Sequence, residues 1–262
     1  VKGIPTALTT IEKQAFEEST IKHIDLPSVT TIGYRAFKGA KIENIQIPSS
    51  IKSIENTAFK ESYIKYITFQ SPSQLTSIES HLFEKSSLCE IAIPSPVTSI
   101  GISAFFLCQK LSSVVLPDSL TKIEDDAFNS TGLVKIVIPK SVTFIGRSAF
   151  NKCINLTEVI FEKESQLTKI CESAFYECQK LNVISIPASV TEIEKNVFRE
   201  CPLGQFSFDP NSKLSVIEEG LFNSCVGLKE IVIPASVTSI KYYAFNNCEI
   251  LEIVNFEENS KL

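Results

Sequence analysis

A phenylalanine returns along this chain every 21 to 25 residues, eleven times in 262 residues. Ile stands five residues before each Phe, from Ile11 to Ile240, and Ala directly precedes it in eight cases. A period of about 20 to 50 residues is typical of repeat architectures, whose units bury their apolar face only by stacking on neighbours. The sequence therefore predicts stacked coils, with one Phe in each: Phe16, Phe37, Phe59, Phe83, Phe105, Phe128, Phe150, Phe175, Phe198, Phe222 and Phe245.

Each coil contains a strand pattern, because L-x-x-I-x-I follows every Phe and alternates with a period of two. Proline, which cannot donate to a strand ladder, ends this main strand in seven coils: Pro27, Pro48, Pro94, Pro117, Pro139, Pro187 and Pro234. In the other four coils the strand ends at Phe and two extra residues follow: Phe69, Phe161, Phe208 and Phe256. A shorter V-T-x-I alternation predicts a second strand, and a single helical or 3₁₀ turn then carries Ala-Phe inward.

The predicted architecture is an α/β, β-rich solenoid of about eleven coils, with eleven main strands in one parallel sheet about 50 Å across. Residues 1–262 are expected to form a single array. The chain starts without Met inside a repeat, at Ile4-Pro5, and stops after Phe256, where a second strand should begin. Because solenoids generally need polar caps at their ends, we expect a fragment truncated within a repeat at both ends.

Composition and motifs argue against several function classes. The net charge is −5 and basic runs are absent, which disfavours nucleic acid and acidic membrane surfaces as partners. No apolar run approaches the roughly 18 residues of a membrane span, so membrane association would need segments outside this chain. Glycine-rich nucleotide loops and C-x-x-C pairs are missing, and His23 and His81 stand alone. We therefore expect no enzyme activity, no cofactor and no metal.

Six of the eight cysteines occupy one repeat position, three residues after Phe: Cys108, Cys153, Cys178, Cys201, Cys225 and Cys248. Other coils have Ser, Ala or Thr there, so small size is the shared property. The favoured interpretation is a packed core position, since free Cys behaves as a small hydrophobe. Disulfides between neighbouring coils remain the alternative, subject to the distance limits of that bond.

The outer face of the main sheet is the predicted binding surface. One outward row has four consecutive apolar residues in its middle, and the neighbouring row supplies three charges beside them. No further element is left to cover this face, and an exposed apolar patch often marks an interaction site. The alternative is that β-branched residues merely suit strands. The candidate binding residues are Glu90, Ala92, Val115, Lys135, Val137, Glu158 and Ile160.

Two short motifs fit the N-glycosylation acceptor pattern, at Asn129-Ser-Thr131 and Asn155-Leu-Thr157. Such motifs arise often by chance, and their use requires a secretory route.

The repeat L-x-x-I-x-I-P-x-S-V-T-x-I-x-x-x-A-F-x-x-C, clean at 228–248, resembles the BspA-like class of leucine-rich repeats over essentially the whole chain. The resemblance implies a right-handed solenoid, which agrees with the usual handedness of strand crossovers. Such proteins occur in mucosal bacteria and in protists such as trichomonads, and the Ile-, Lys-, Ser- and Asn-rich composition is similar to the protist versions.

The resemblance implies a cell-surface or secreted protein that attaches to host cells or extracellular matrix by binding a protein. A structural protein that self-associates and an intracellular scaffold are the alternatives. The family has no shared catalytic residues to transfer, and fold alone does not confer function.

Overall fold

The computed structural model describes residues 8–262, which wind through eleven successive coils. The ten main strands are Asn44–Ile47, Tyr66–Phe69, Glu90–Ala92, Ser113–Val115, Lys135–Ile138, Glu158–Phe161, Val183–Ile186, Gln205–Phe208, Glu230–Ile233 and Ile253–Phe256. The eleven short strands are Thr10–Ile11, Thr31–Ile32, Ser53–Ile54, Ser77–Ile78, Ser99–Ile100, Lys122–Ile123, Phe144–Ile145, Lys169–Ile170, Glu192–Ile193, Val216–Ile217 and Ser239–Ile240. The predicted parallel solenoid of about eleven coils is therefore confirmed.

The core lies between the two rows of strands and is one continuous cluster. All eleven repeat phenylalanines stack face to face in a single column, with neighbouring ring centroids 5.1 to 6.0 Å apart. The isoleucines of the short strands form a second column. These strands pair in groups of three, six and two, and the isoleucines are in register within each group, as Ile11 is with Ile32. Each inner coil thus buries its apolar side chains against the coils before and after it, whereas the last strand, Ile253–Phe256, is exposed.

The turns that carry Phe inward are not helical, which corrects the predicted helical or 3₁₀ turn. No helix occurs between residues 8 and 262, and in all eleven coils the residues two before and two after Phe have φ near +60°. These left-handed residues interrupt a right-handed helix. They direct alternate N–H groups to the next coil, as from Phe37 to the Ala58 oxygen at 2.8 Å and from Gly39 to the Lys60 oxygen at 2.9 Å.

The main strands form three hydrogen-bonded groups of four, four and two strands, not the single sheet that was predicted. At each interruption a glycine precedes the next strand: Gly132 lies against the Gln109 oxygen and Gly227 against the Pro202 oxygen. A Cβ at either position would clash with that oxygen, so the two backbones approach unusually closely there. The close approach coincides with the loss of ladder pairing.

The first predicted main strand, residues 23–26, lies outside the sheet. Ile24 and Leu26 are buried and His23 and Asp25 exposed, so the inward and outward alternation is retained. The outward side chains of the segment contact each other, with His23 Nε2 lying 2.9 Å from Asp25 Oδ1. The matching segment of the first coil falls within residues 1–7, outside the described range.

Candidate binding face

The central stripe is the run of outward residues Ala92, Val115, Val137 and Ile160 on four consecutive main strands. Val115 is 62% exposed and Val137 is 42% exposed, whereas Ile160 is half-buried. Ala92 is directly opposite Val115, and Val137 is directly opposite Ile160. The stripe therefore crosses the first interruption of the sheet, between Val115 and Val137, as a continuous set of outward apolar positions.

The neighbouring outward row carries the three predicted charges. Lys135 Nζ pairs with Glu158 Oε2 at 2.7 Å, and both side chains remain partly exposed to solvent. Glu90 is exposed and stands between Tyr66 and Ser113 in the strand register. Among residues 8–262, no Lys, Arg or His nitrogen lies within salt-bridge distance of the Glu90 carboxylate. The seven predicted residues thus share one face. On it the charges of Lys135 and Glu158 neutralise each other, whereas the carboxylate of Glu90 has no cationic partner among residues 8–262.

Tyr66, Glu90, Ala92 and Val115 also line a groove of about 740 Å³, named here the Tyr66 groove. Its floor is the outer face of three strands, and its wall is residues 70–73 together with residues 94–96. The wall contains Pro72, Pro94 and Pro96, and Tyr66 is 47% exposed beside it. The groove is therefore mainly apolar, with the Glu90 carboxylate in its lining.

The wall segment 70–73 contains the two extra residues that follow Phe69, and it is fixed to the preceding coil. Gln70 N donates to the Ile47 oxygen at 2.9 Å, and Gln70 Oε1 accepts from Ser49 N at 3.3 Å. Gln74 Nε2 donates to the Ser49 oxygen at 2.9 Å. On the other side stand Pro94 and Pro96, which have no N–H to donate. The insertion, named here the ledge, is therefore held to the preceding coil, and it lines the groove together with Pro94 and Pro96 of the next coil.

Sequence reasoning identified the four insertions but not the groove that one of them creates. The signal was a pair of proline-containing segments in successive coils: Ser-Pro-Ser at residues 71–73, within the longer coil, and Pro-Ser-Pro at residues 94–96 in the next coil. A second insertion, at residues 162–165, borders a smaller cavity of about 270 Å³ lined by Glu162, Lys163, Glu164 and Asp209. The two cavities differ in chemistry, because the first is apolar and the second is charged.

The cysteine ladder is packed in the interior, as the favoured interpretation held. Cys108, Cys153, Cys178, Cys201 and Cys225 are fully buried, and all eight cysteines are free. Burial raises the pKa of the Cys108 thiol to about 12 and that of Cys153 to about 11. These thiols therefore stay protonated at neutral pH, and a protonated buried thiol is neither a nucleophile nor a metal ligand.

Each histidine lies within hydrogen-bond distance of a carboxylate. His81 Nδ1 lies 2.8 Å from Glu84 Oε2, and Lys60 Nζ reaches the same oxygen at 2.9 Å. Within residues 8–262, no group of three or more His, Cys, Asp or Glu side chains is arranged to hold a metal ion. That part of the chain also has no helix long and apolar enough to cross a membrane.

The two candidate glycosylation motifs are partly engaged in hydrogen bonds. Asn129 Nδ2 donates to Asp126 Oδ1 at 2.7 Å, and Thr131 of the same motif is buried. Asn155 Oδ1 accepts from Lys180 Nζ at 3.0 Å. Glycan attachment at either position stays a prediction.

Comparison with known proteins identifies the repeat. The sequence profile described as "BspA type Leucine rich repeat region (6 copies)" matches residues 3–95, 30–157, 76–202 and 145–262, which together span almost the whole chain. No curated protein sequence matches the chain.

Three solved structures of bacterial proteins share the fold. A leucine-rich repeat protein from Bacteroides ovatus is 25% identical with a TM-score of 0.72, covering 98% of this chain and 76% of the other. A leucine rich cell surface protein from Faecalibacterium prausnitzii is 26% identical with a TM-score of 0.53, covering 95% and 83%. The pneumococcal vaccine antigen PcpA, 24% identical with a TM-score of 0.56, covers 96% and 68% and shows the fold alone.

These structural relatives are bacterial, and the protist origin expected from composition is not confirmed. The fold is of the kind that generally serves protein interaction, and typically not catalysis. The profile match spans far more than half of the sequence, and the coil geometry agrees with it. The chain belongs to the BspA-type leucine-rich-repeat family.

Proposed function

We propose that this chain is a non-enzymatic protein-binding module that acts through the central stripe and its flanking charges, at the cell surface or after secretion. The observation that carries the proposal is the exposure of Val115 and Val137 on a sheet face that no other element of residues 8–262 covers. Contiguous exposed apolar surface on a soluble protein often marks an interaction site. The partner is a protein, and the seven contact residues are Glu90, Ala92, Val115, Lys135, Val137, Glu158 and Ile160.

Attachment to host cells or extracellular matrix is the biological role we propose for this face. The family resemblance supports it, as does the solved relative from Faecalibacterium prausnitzii, which is described as a cell surface protein. A stable protein–protein interface usually buries about 800 Å² on each partner. The central stripe supplies the apolar middle of such a surface, and Glu90, Lys135 and Glu158 supply part of its polar rim.

The test is a triple variant that makes the central stripe polar: Val115→Ser, Val137→Ser and Ile160→Ser. Purified chain would be passed over immobilised fibronectin, laminin and collagen and applied to cultured epithelial cells, with surface plasmon resonance and bead attachment as readouts. We expect wild-type binding to at least one of these surfaces and its loss in the triple variant. The matched control is Val232→Ser with Ile253→Ser, because these residues are 50% and 42% exposed on the same face but outside the stripe.

Unchanged binding by a folded triple variant, or no binding by the wild-type chain, contradicts the proposal. Sedimentation velocity separates it from the structural alternative. A monomer at micromolar concentration supports a module that binds other molecules, whereas concentration-dependent oligomers that persist in the triple variant favour self-association.

A further inference from the structure

We infer that the Tyr66 groove binds an extended peptide that presents an aliphatic side chain and, two residues away, a Lys or Arg. The inference rests on the proposed function, since it specifies the partner chemistry at one end of the same face. It comes from the residues that line the groove, the prolines of its wall and its one unneutralised charge.

The short side chain of Ala92 leaves space for a partner side chain on the floor of the groove, and this space is named here the depression. Ala92 is the smallest member of the outward row and lies between larger side chains on the neighbouring strands, Thr68 on one side and Val115 on the other. All of these residues line the groove. A depression of this kind accepts one aliphatic side chain from a partner, which would contact Ala92 and the exposed face of Val115.

The wall favours a peptide because three of its seven residues are prolines. Pro72, Pro94 and Pro96 lose little conformational freedom on binding, and Tyr66 offers a flat, exposed ring beside them. Grooves built from aromatic residues are a recurring means of holding extended peptides. The ledge is already fixed to the preceding coil by its bonds to Ile47 and Ser49, so binding does not have to order it.

The charge pattern favours a cationic side chain. Two lysines near this row are already paired: Lys65, one coil before Glu90, with Glu43 at 2.9 Å, and Lys135, two coils after it, with Glu158 at 2.7 Å. The hydrogen bond from Lys65 lowers the pKa of the Glu43 carboxyl and raises that of Lys65 itself. Glu90 has no such partner among the described residues, so its charge is free to attract a ligand cation.

The spacing of the two contacts sets the peptide motif. Glu90 and Ala92 are on the same strand, both facing outward, and two residues of a strand span about 6.6 Å. An extended peptide lying along the strand repeats its side chains on one side at the same distance. An aliphatic residue over Ala92 therefore places the side chain two residues away over Glu90.

The experiment is selection of a random twelve-residue peptide library displayed on phage against the immobilised chain. Enriched peptides would be synthesised with fluorescein and titrated by fluorescence anisotropy. We expect enriched peptides to share an aliphatic residue two positions from Lys or Arg. Glu90→Gln should weaken binding about fivefold, as for loss of a partly exposed ion pair. Ala92→Leu should weaken it by about tenfold or more, because Leu fills the depression.

The matched control is Glu230→Gln, since Glu230 is an exposed residue at the same repeat position on a later strand, away from the groove. Circular dichroism of each variant checks that the fold is retained. Several outcomes overturn the inference: no enriched peptide, an acidic motif, equal binding by Glu90→Gln and wild type, or equal weakening by Glu230→Gln. Binding of oligosaccharides in place of peptides, abolished by Ala92→Leu, overturns it as well. If these occur while the stripe variant still loses matrix binding, the proposed function stands without the groove.

Discussion

The thiol of Cys178 donates a hydrogen bond to the main-chain oxygen of Phe150, 3.1 Å away in the preceding coil. The same bond joins each ladder cysteine to the Phe of the coil before it, and Cys108, Cys153, Cys201, Cys225 and Cys248 all make it at 2.9 to 3.1 Å. The repeat position therefore selects a donor with a long reach as well as a small side chain. A hydroxyl sits closer to its own backbone, and Ser62 Oγ, buried at the same position, has no hydrogen-bond partner in the described residues.

The first prediction concerns this reach. Cys178→Ser should destabilise the chain more than Cys178→Ala, because the hydroxyl loses the bond to the Phe150 oxygen. The partner that remains is the thiol of the next coil, as for Ser86 Oγ, which lies 3.4 Å from Cys108 Sγ. A poorly paired buried hydroxyl costs about 1–3 kcal/mol. The reciprocal variant Ser62→Cys should be stabilising, since its thiol gains the Phe37 oxygen as an acceptor. Urea unfolding followed by circular dichroism measures both effects. Equal midpoints for Cys178→Ser and Cys178→Ala would show that the thiol bond contributes nothing beyond packing.

The second prediction is a loss of stability at alkaline pH. Burial raises the pKa of the Cys153 thiol from 9.0 to about 11. Above about pH 9 the unfolded chain loses this proton and the folded chain keeps it, so stability is complete below pH 9 and falls as pH rises toward 11. Between these two pKa values the slope approaches, and does not exceed, about 1.4 kcal/mol per pH unit for each such thiol.

The measurement compares urea midpoints of the wild-type chain and of Cys153→Ala between about pH 8 and pH 10.5. Lysines and tyrosines titrate in both proteins, so their contribution cancels in the difference. The variant should lose less stability over this range than the wild type. Parallel pH profiles would contradict a raised pKa at Cys153.

The third prediction tests the phenylalanine column. Phe128 is fully buried and stacks on Phe105 at 5.1 Å and on Phe150 at 5.3 Å. Phe128→Ala should cost about 3–5 kcal/mol of unfolding free energy, because it removes a large core side chain and leaves a cavity. The control is Phe256→Ala, since Phe256 is 47% exposed and its loss should change stability by less than about 1 kcal/mol.

The columns that contain Phe128 and Ile123 could be predicted from the sequence, because every coil has Phe and Ile at the same repeat positions and buries them against its neighbours in the same way. The period specifies which side chains are buried, and the two-residue alternation specifies which face of a strand they are on. The outward position of Val115 and Val137 follows from the same alternation. None of this requires knowledge of a distant contact.

The left-handed residues beside each Phe could not be predicted in this way, since positions such as Leu107 and Lys152 carry residues with no preference for positive φ. Their conformation is imposed by hydrogen bonds to the next coil. The groove was missed for a similar reason. It forms because the insertion after Phe69 lies beside the next coil at the point where Pro94 follows the main strand. The sequence shows each feature alone, and their juxtaposition appears only when neighbouring coils are stacked.

The fourth prediction concerns the ion pair on the binding face. Lys135 and Glu158 are 50% and 32% exposed, so solvent screens their attraction and Glu158→Gln should change stability by less than about 1 kcal/mol. If the central stripe is the contact surface, the same substitution should alter partner affinity and its dependence on salt. A double-mutant cycle with Lys135→Met measures the coupling in the free chain. Coupling well above 1 kcal/mol would assign the pair a structural role.

The fifth prediction separates the wall of the Tyr66 groove from its floor. Deletion of Ser71 and Pro72 removes the ledge and gives this coil the length of coils that lack an insertion. The fold should tolerate the change, because coil spacings already vary between 21 and 25 residues and shortening a surface loop has a small entropic effect. The thermal midpoint should stay close to that of the wild type, whereas peptide binding at Glu90 and Ala92 should be lost.

The matched deletion of Lys163 and Glu164, at the charged second insertion, should leave peptide binding unchanged. Peptide binding that survives the first deletion would show that the strand face alone forms the site, because the ledge would then add nothing to the contact.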